Sequence, residues 1–240
     1  MEKATCSLSA WMKTFARNQR LDSYASIYKS IVEAAYLLDE TGVSHCDMHP
    51  GNIGLLLKDA KGIICNDATQ AHSVNLSDPN ALSIKFIDFG MSCWTATTAE
   101  AGNLVRQGYP AFMAPEHFLP SDGWAVLLIG YQMAGVNLPW LELNRRGAGP
   151  HAIDLMKKKC LLGDTFSYSD KCLAALLDSS FVTSWRETSL AELKKIKWPF
   201  SRFMSELFSA LLANELDVLR QGSTNQKWSE RVRHVPIRDN

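Results

Sequence analysis

The chain has 240 residues, 46% of them hydrophobic, and its 25 Lys and Arg are balanced by 25 Asp and Glu. That content can bury one substantial core, and the length suits one large domain or one domain plus a tail. The even charge excludes a global pull toward polyanions, so neither a nucleic-acid nor a membrane partner is expected.

The opening "MEKATCSLSAWMK" lacks the basic-then-apolar order of a secretion signal. Ser7 and Ser9 with the apolar set Leu8, Trp11, Met12 and Phe15 predict a capped amphipathic helix running to about Arg17. A second helix is predicted over 22–39, where Tyr24, Ile27, Ile31, Ala34, Ala35 and Leu38 recur at helical spacing and Gly42 follows the end. Two short strands are expected at 53–57, "IGLLL", and 83–88, "SIKFID". The polar, Gly- and Pro-punctuated stretch between them reads as a long hairpin connection, with room for a further strand at Ile63, Ile64 and Cys65. Residues 90–110 are small and polar and read as an extended surface segment.

Helical patterns return at 123–135, 151–162, 169–177 and 189–220, and the charged, poorly periodic tail 221–240 reads as mobile. The longest apolar run, Trp124 to Val136, is too short for a bilayer and is interrupted by Gln132, so a buried helix is expected. The fold class is thus mainly α with a small β-hairpin region. Cys6, Cys46, Cys65, Cys93, Cys160 and Cys172 fall at irregular spacings with no C-x-x-C pair, which argues against a zinc site and a disulfide framework. Reduced thiols in a cytoplasmic or nuclear, not secreted, protein follow.

Four motifs carry chemistry. "VSHCDMHPGNIGLL", from Val43, puts His45, Asp47 and Asn52 in H-x-D-x-x-x-x-N spacing ahead of an apolar run. "IDFG" places Asp88 at the end of an expected strand, and "GYPAFMAPE" runs from Gly108 to Glu116. "SDGWAVLLIG" then sets Asp122 and Trp124 at the start of an apolar helix. In this order they resemble the large (C-terminal) lobe of the eukaryotic protein-kinase family, whose signature set is a catalytic loop, D-F-G and A-P-E.

The resemblance covers residues 1–140 well and the remainder as a generic helical lobe. It implies a kinase-like C-lobe over 1–220, with a hinge at 1–6, a catalytic loop at 45–52, a magnesium loop at 88–90 and an activation segment at 88–116. Asp47 would orient the substrate hydroxyl and accept its proton. Asn52 and Asp88 would hold Mg2+, a hard cation suited to carboxylate, amide and phosphate oxygens. The backbone from Glu2 to Ala4 would bond the adenine of ATP. His45 and Phe89 would pack between the catalytic and magnesium loops, Glu116 would anchor the activation segment through an arginine on a later helix, and Asp122 would bond the catalytic-loop amides.

The departures from the family pattern are specific. No G-x-G-x-x-G run and no V-A-I-K-like strand precedes Asp47, so the phosphate cover and strand lysine of the small lobe are missing. The chain begins about where that lobe would end, which reads as a gene fragment or as a protein that has dispensed with it. Cys46 replaces the usual arginine, so a phosphorylated activation segment lacks its guanidinium partner. His49 stands in for a lysine, and Tyr109 for a threonine or serine. Gly54 takes the place of the apolar floor under adenine, removing about 1.5–3 kcal/mol of burial. The connection from Asn52 to Asp88 is longer than usual, and that from Glu116 to Asp122 shorter.

The implied activity is ATP-dependent phosphotransfer to a protein hydroxyl, read as Ser/Thr from the P-A-F-M-A-P-E segment, with the isolated chain expected inactive. One alternative is a truncated kinase-like binding module, or pseudokinase, that inhibits or scaffolds a partner kinase. The other is a small-molecule phosphotransferase, since aminoglycoside- and choline-kinase-like families show a similar H-x-D-x-H-P-G-N loop; "GYPAFMAPE" and "DGW" stand against it.

Overall fold

A computed structural model of the protein describes residues 4–15, 17–67, 74–76, 78, 80–94, 108–113, 122–162, 183–185, 187–189 and 191. Glu2, Glu116, the helix expected at 169–177, nearly all of that expected at 189–220 and the tail 221–240 lie outside the described residues.

The first helix, α1 (Leu8–Thr14), starts where Ser7 accepts a hydrogen bond from the Ala10 N–H at 3.2 Å. It ends short of Arg17 because Phe15 is extended and stacks on Trp11, ring centroids 5.2 Å apart. Helix α2 (Arg17–Glu40) begins five residues before its expected start and buries Tyr24, Ile27, Tyr28, Ile31, Val32 and Ala35 along one stripe. Gly42, with φ 81°, closes it by donating to the Asp39 carbonyl at 2.9 Å. Helix α3 (Asp122–Met133) is buried throughout except at Gln132, as its apolar run implied. The Tyr24 and Tyr28 hydroxyls of α2 donate to the Gly130 and Val126 carbonyls of α3 at 3.2 and 3.1 Å.

Two small antiparallel sheets join these helices. One has the order β1 (Cys6–Ser7), β3 (Ile53–Leu57), β4 (Leu82–Phe86), with Ile53 opposite Phe86 and Leu57 opposite Leu82. Every residue of the central strand β3 is buried, which suits its unbroken apolar run. The other sheet pairs β2 (Val43–Ser44) with β5 (Cys93–Trp94). No strand forms at 63–65, where only an isolated bridge joins Ile64 to Lys58. Asp59 accepts the Lys61 and Ile63 N–H groups at 2.8 and 2.9 Å in the turn, and beyond it the Cys65 N–H donates to the Leu57 carbonyl at 2.8 Å while the Lys58 N–H is taken by the Ala81 carbonyl at 2.9 Å.

After α3 come α4 (Pro139–Arg145) and α5 (Pro150–Leu162). Among the described residues no helix is long and apolar enough to cross a membrane. The architecture is helical with small antiparallel sheets, and the β3–β4 hairpin sets its two open ends, Asn52 and Ile87, side by side: the Ile87 N–H donates to the Asn52 carbonyl at 3.0 Å.

Candidate active site

The loop between β2 and β3 is fixed from below. Asp122, buried at the start of α3, accepts the His45 N–H at 2.7 Å and the Cys46 N–H at 3.1 Å through separate carboxylate oxygens. This two-point clamp coincides with a left-handed backbone at Cys46, φ 66°. Burial raises the Asp122 carboxyl from 3.8 to about 6, against the downward pull of its N–H donors and of His45.

His45 is buried and bridges two segments. Its Nδ1 accepts the Asp47 N–H at 3.3 Å, so its Nε2 carries the proton and donates to the Ile87 carbonyl at 2.9 Å. Ile87 is therefore held on both sides, by Asn52 and by His45, and the next residue, Asp88, is set beside the loop with a left-handed backbone, φ 64° and ψ 64°. The Asp88 side chain makes no helix-capping bond. Phe89 packs its ring 4.8 Å from that of His45 yet stays partly exposed.

Asp47 is the meeting point. Its Oδ1 accepts the Tyr109 N–H at 2.7 Å, and its Oδ2 and main-chain oxygen accept the Asn52 side-chain amide at 3.2 and 3.0 Å. With its nitrogen spent on Asp47, the Asn52 amide turns its oxygen away from that carboxylate. His49 accepts the Gly51 N–H on Nδ1 at 3.0 Å, and its Nε2 lies 3.9 Å from Asp47, beyond hydrogen-bond range. Burial lowers the His49 pKa, outweighing the upward pull of Asp47 and Asp88, which favours the neutral ring.

The segment 108–113 reaches Asp47 by close backbone approach. At Gly108, φ 105°, a Cβ would stand 2.3 Å from the Cys46 carbonyl oxygen. Behind it, the Trp140 indole of α4 donates to the Ala111 carbonyl at 2.9 Å, and Lys157 of α5, fully buried, donates to the Met113 carbonyl at 2.7 Å and to that of Pro110. Sequence reasoning missed Lys157, although it occupies the apolar stripe of its own helix with Ile153, Met156 and Cys160. Among the described residues the cation that reaches residues 108–113 is this lysine, which is bonded to carbonyls and lies 3.7 Å from Asp154 of its own helix.

The structure brings together His45, Asp47, Asn52, Asp88, Phe89 and Asp122. Ala4 lies beside the Asn52 end of β3, where a side chain on Gly54 would come within 3.0 Å of its Cβ. Among the described residues no group of three or more His, Cys, Asp and Glu forms a metal cage. The oxygen donors at hand, one amide and one carboxylate, match a magnesium ion that keeps several waters or phosphate oxygens. No protein-family model matches the chain, and no curated protein matches it.

Proposed function

We propose that this chain is a protein-kinase-like C-lobe whose site serves ATP-dependent phosphoryl transfer to a protein Ser or Thr hydroxyl. The observation that carries the reading is the Asp47 carboxylate, oriented by Asn52 and the Tyr109 N–H on a loop tied through His45 to the residue before Asp88. Such transfer depends on positioning and charge neutralisation more than on covalent chemistry. Asp47 aligns the acceptor hydroxyl and takes its proton, while its two hydrogen-bond donors fix which lone pairs face the substrate. Asn52 and Asp88 would hold magnesium through oxygen, and that ion would supply charge neutralisation at the phosphates. Asp122 and His45 act as positioning residues, setting the loop and the Asp88 turn against each other. The backbone at Ala4, with Glu2, borders the adenine. Residence is cytoplasmic or nuclear.

Two measurements test the reading. Mn2+ replacing magnesium, followed by water-proton relaxation, is expected to bind only in the presence of ATP, and to lose that binding in Asn52→Ala and Asp88→Ala but keep it in Asp47→Asn. Binding indifferent to all three changes sinks the assignment. Transfer of labelled γ-phosphate, where seen, should go to Ser/Thr peptides and vanish in Asp47→Asn; transfer to an amino sugar or to choline would instead favour the small-molecule phosphotransferase.

A second reading, a pseudokinase-type module that binds a partner kinase, is favoured by one surface. Ile87, Phe89, Met91 and Trp94 are 44, 44, 40 and 62% exposed and crowd the turn around Asp88. Association with a protein kinase that persists without ATP and is lost in Phe89→Ser supports it.

A further inference from the structure

Two of the free cysteines stand apart from the others. Cys46 and Cys93 are 47 residues apart in the chain, yet their sulfurs lie 3.4 Å from each other. The contact follows from the β2–β5 ladder, which sets Ser44 opposite Cys93 and delivers the next turn of chain, with Cys46 in its left-handed conformation, over the same strand. Both thiols are half-buried, as is that of Cys6, whereas Cys65 and Cys160 are buried, and of the described cysteines Cys46 and Cys93 are the pair in sulfur–sulfur contact.

We infer that Cys46 and Cys93 are a redox pair that closes to an intramolecular disulfide, tying the loop of Asp47 to the strand that follows the Asp88 turn. A disulfide needs its sulfurs about 2.05 Å apart, so closure asks for roughly 1.4 Å of approach, within reach of side-chain rotation. The oxidant is a small disulfide of the glutathione class. The Cys93 thiolate attacks one sulfur of that disulfide, forming a mixed disulfide and releasing one small thiol. Cys46 then attacks the Cys93 sulfur, its proton leaving with the second small thiol, so the two protein thiols are oxidised as one disulfide is reduced to two thiols.

The order of attack has a physical cause. Burial first, then the Asp122 carboxylate and the Cys93 thiol, hold the Cys46 thiol well above its ordinary range, which makes it a poor opening nucleophile. Held against Cys93, it is well placed for the second, intramolecular step. The bond would fix the spacing between the Asp47 loop and β5 whether or not the chain binds nucleotide, so this inference stands apart from the phosphotransfer reading.

The test uses the full chain, reduced and then equilibrated across a series of oxidised-to-reduced glutathione ratios, quenched with a thiol alkylator and mapped by peptide mass spectrometry. The expected result is one cross-linked peptide pair, Cys46 with Cys93, appearing before modification of Cys65 or Cys160. In Cys46→Ser, glutathione should stay on Cys93; in Cys93→Ser, Cys46 should remain alkylated. Full alkylation of both cysteines in the wild type at every ratio, or a glutathione adduct persisting on wild-type Cys93, overturns the proposal.

Discussion

Gly108→Ala isolates the contact that seats the 108–113 segment on Asp47. The added methyl would sit 2.3 Å from the Cys46 carbonyl oxygen, where contacts under 3.0 Å are essentially never seen. The carbonyl cannot retreat easily, because the N–H groups of His45 and Cys46 are both bonded to Asp122. The 108–113 segment must move instead and give up the Tyr109 N–H bond to Asp47. Strain from a non-glycine residue at φ 105° costs about 1–2 kcal/mol. Overpacking adds about 1–3 kcal/mol, and loss of a hydrogen bond to a charged group about 1.5–3 kcal/mol. Stiffening the unfolded chain returns about 0.4–1 kcal/mol, which leaves a net loss of about 2.5–7.5 kcal/mol. Gly62→Ala is the control, since its φ is 75° and nothing lies within 4 Å of the new methyl. It carries only the backbone strain and the unfolded-state offset, a net of about 0–1.5 kcal/mol. Urea denaturation of the two variants, with amide exchange read at Tyr109, checks both halves. Equal losses at Gly108 and Gly62, or unchanged protection of the Tyr109 amide, would refute the reasoning.

Asp122→Asn replaces one acceptor oxygen with a donor facing a buried N–H and should cost about 1–3 kcal/mol at pH 7. The folded-state pKa of Asp122, about 6, lies above the ordinary 3.8, so its contribution to stability is fully present below 3.8 and is lost as pH rises through about 6. The advantage of wild type over Asp122→Asn in urea midpoints should therefore shrink from pH 4 to pH 7; a flat or growing advantage contradicts the burial argument. Lys157→Met removes the donor to the Pro110 and Met113 carbonyls and the cation 3.7 Å from buried Asp154, and should cost about 3–5 kcal/mol. Its exchange signature should be faster amide exchange at 108–113, and a stability change within 0.5 kcal/mol would show that the buried ammonium holds nothing there.

Elements with a strong local period were legible in the chain. Strand β3 runs over the expected residues, and α3 and α5 start within a residue of theirs. The short strands β1, β2 and β5 were not, because two residues carry no alternation to detect. Helix α4 was missed although Pro139 at its first turn and Arg145 in its last are helix signals; seven residues are too few for periodicity to add weight. The early start of α2 was hidden by the polar run from Arg17 to Arg20, which shows no apolar stripe. In the site, the spacing of His45, Asp47 and Asn52 suggested a shared loop, while the partners of Asp47 did not show. Tyr109 contributes a backbone N–H, which no side-chain pattern encodes, and the Cys46–Cys93 contact depends on a ladder across 47 residues.

The hydroxyls of Tyr24 and Tyr28 meet carbonyls four residues apart on α3, in reverse order along the partner helix. Two pins at one-turn spacing block axial slip, since sliding α2 by a turn would align at most one phenol with its acceptor while stranding the other in apolar surroundings. The helix pair behaves as a keyed joint that can tilt but not telescope. Because α2 leads directly into β2 and α3 begins at Asp122, the loop bearing Asp47 hangs between two ends of that joint. Any repositioning of Asp47 must then come from torsions inside the loop or from the pressure of segment 108–113 on it, because the helices beneath supply a fixed origin.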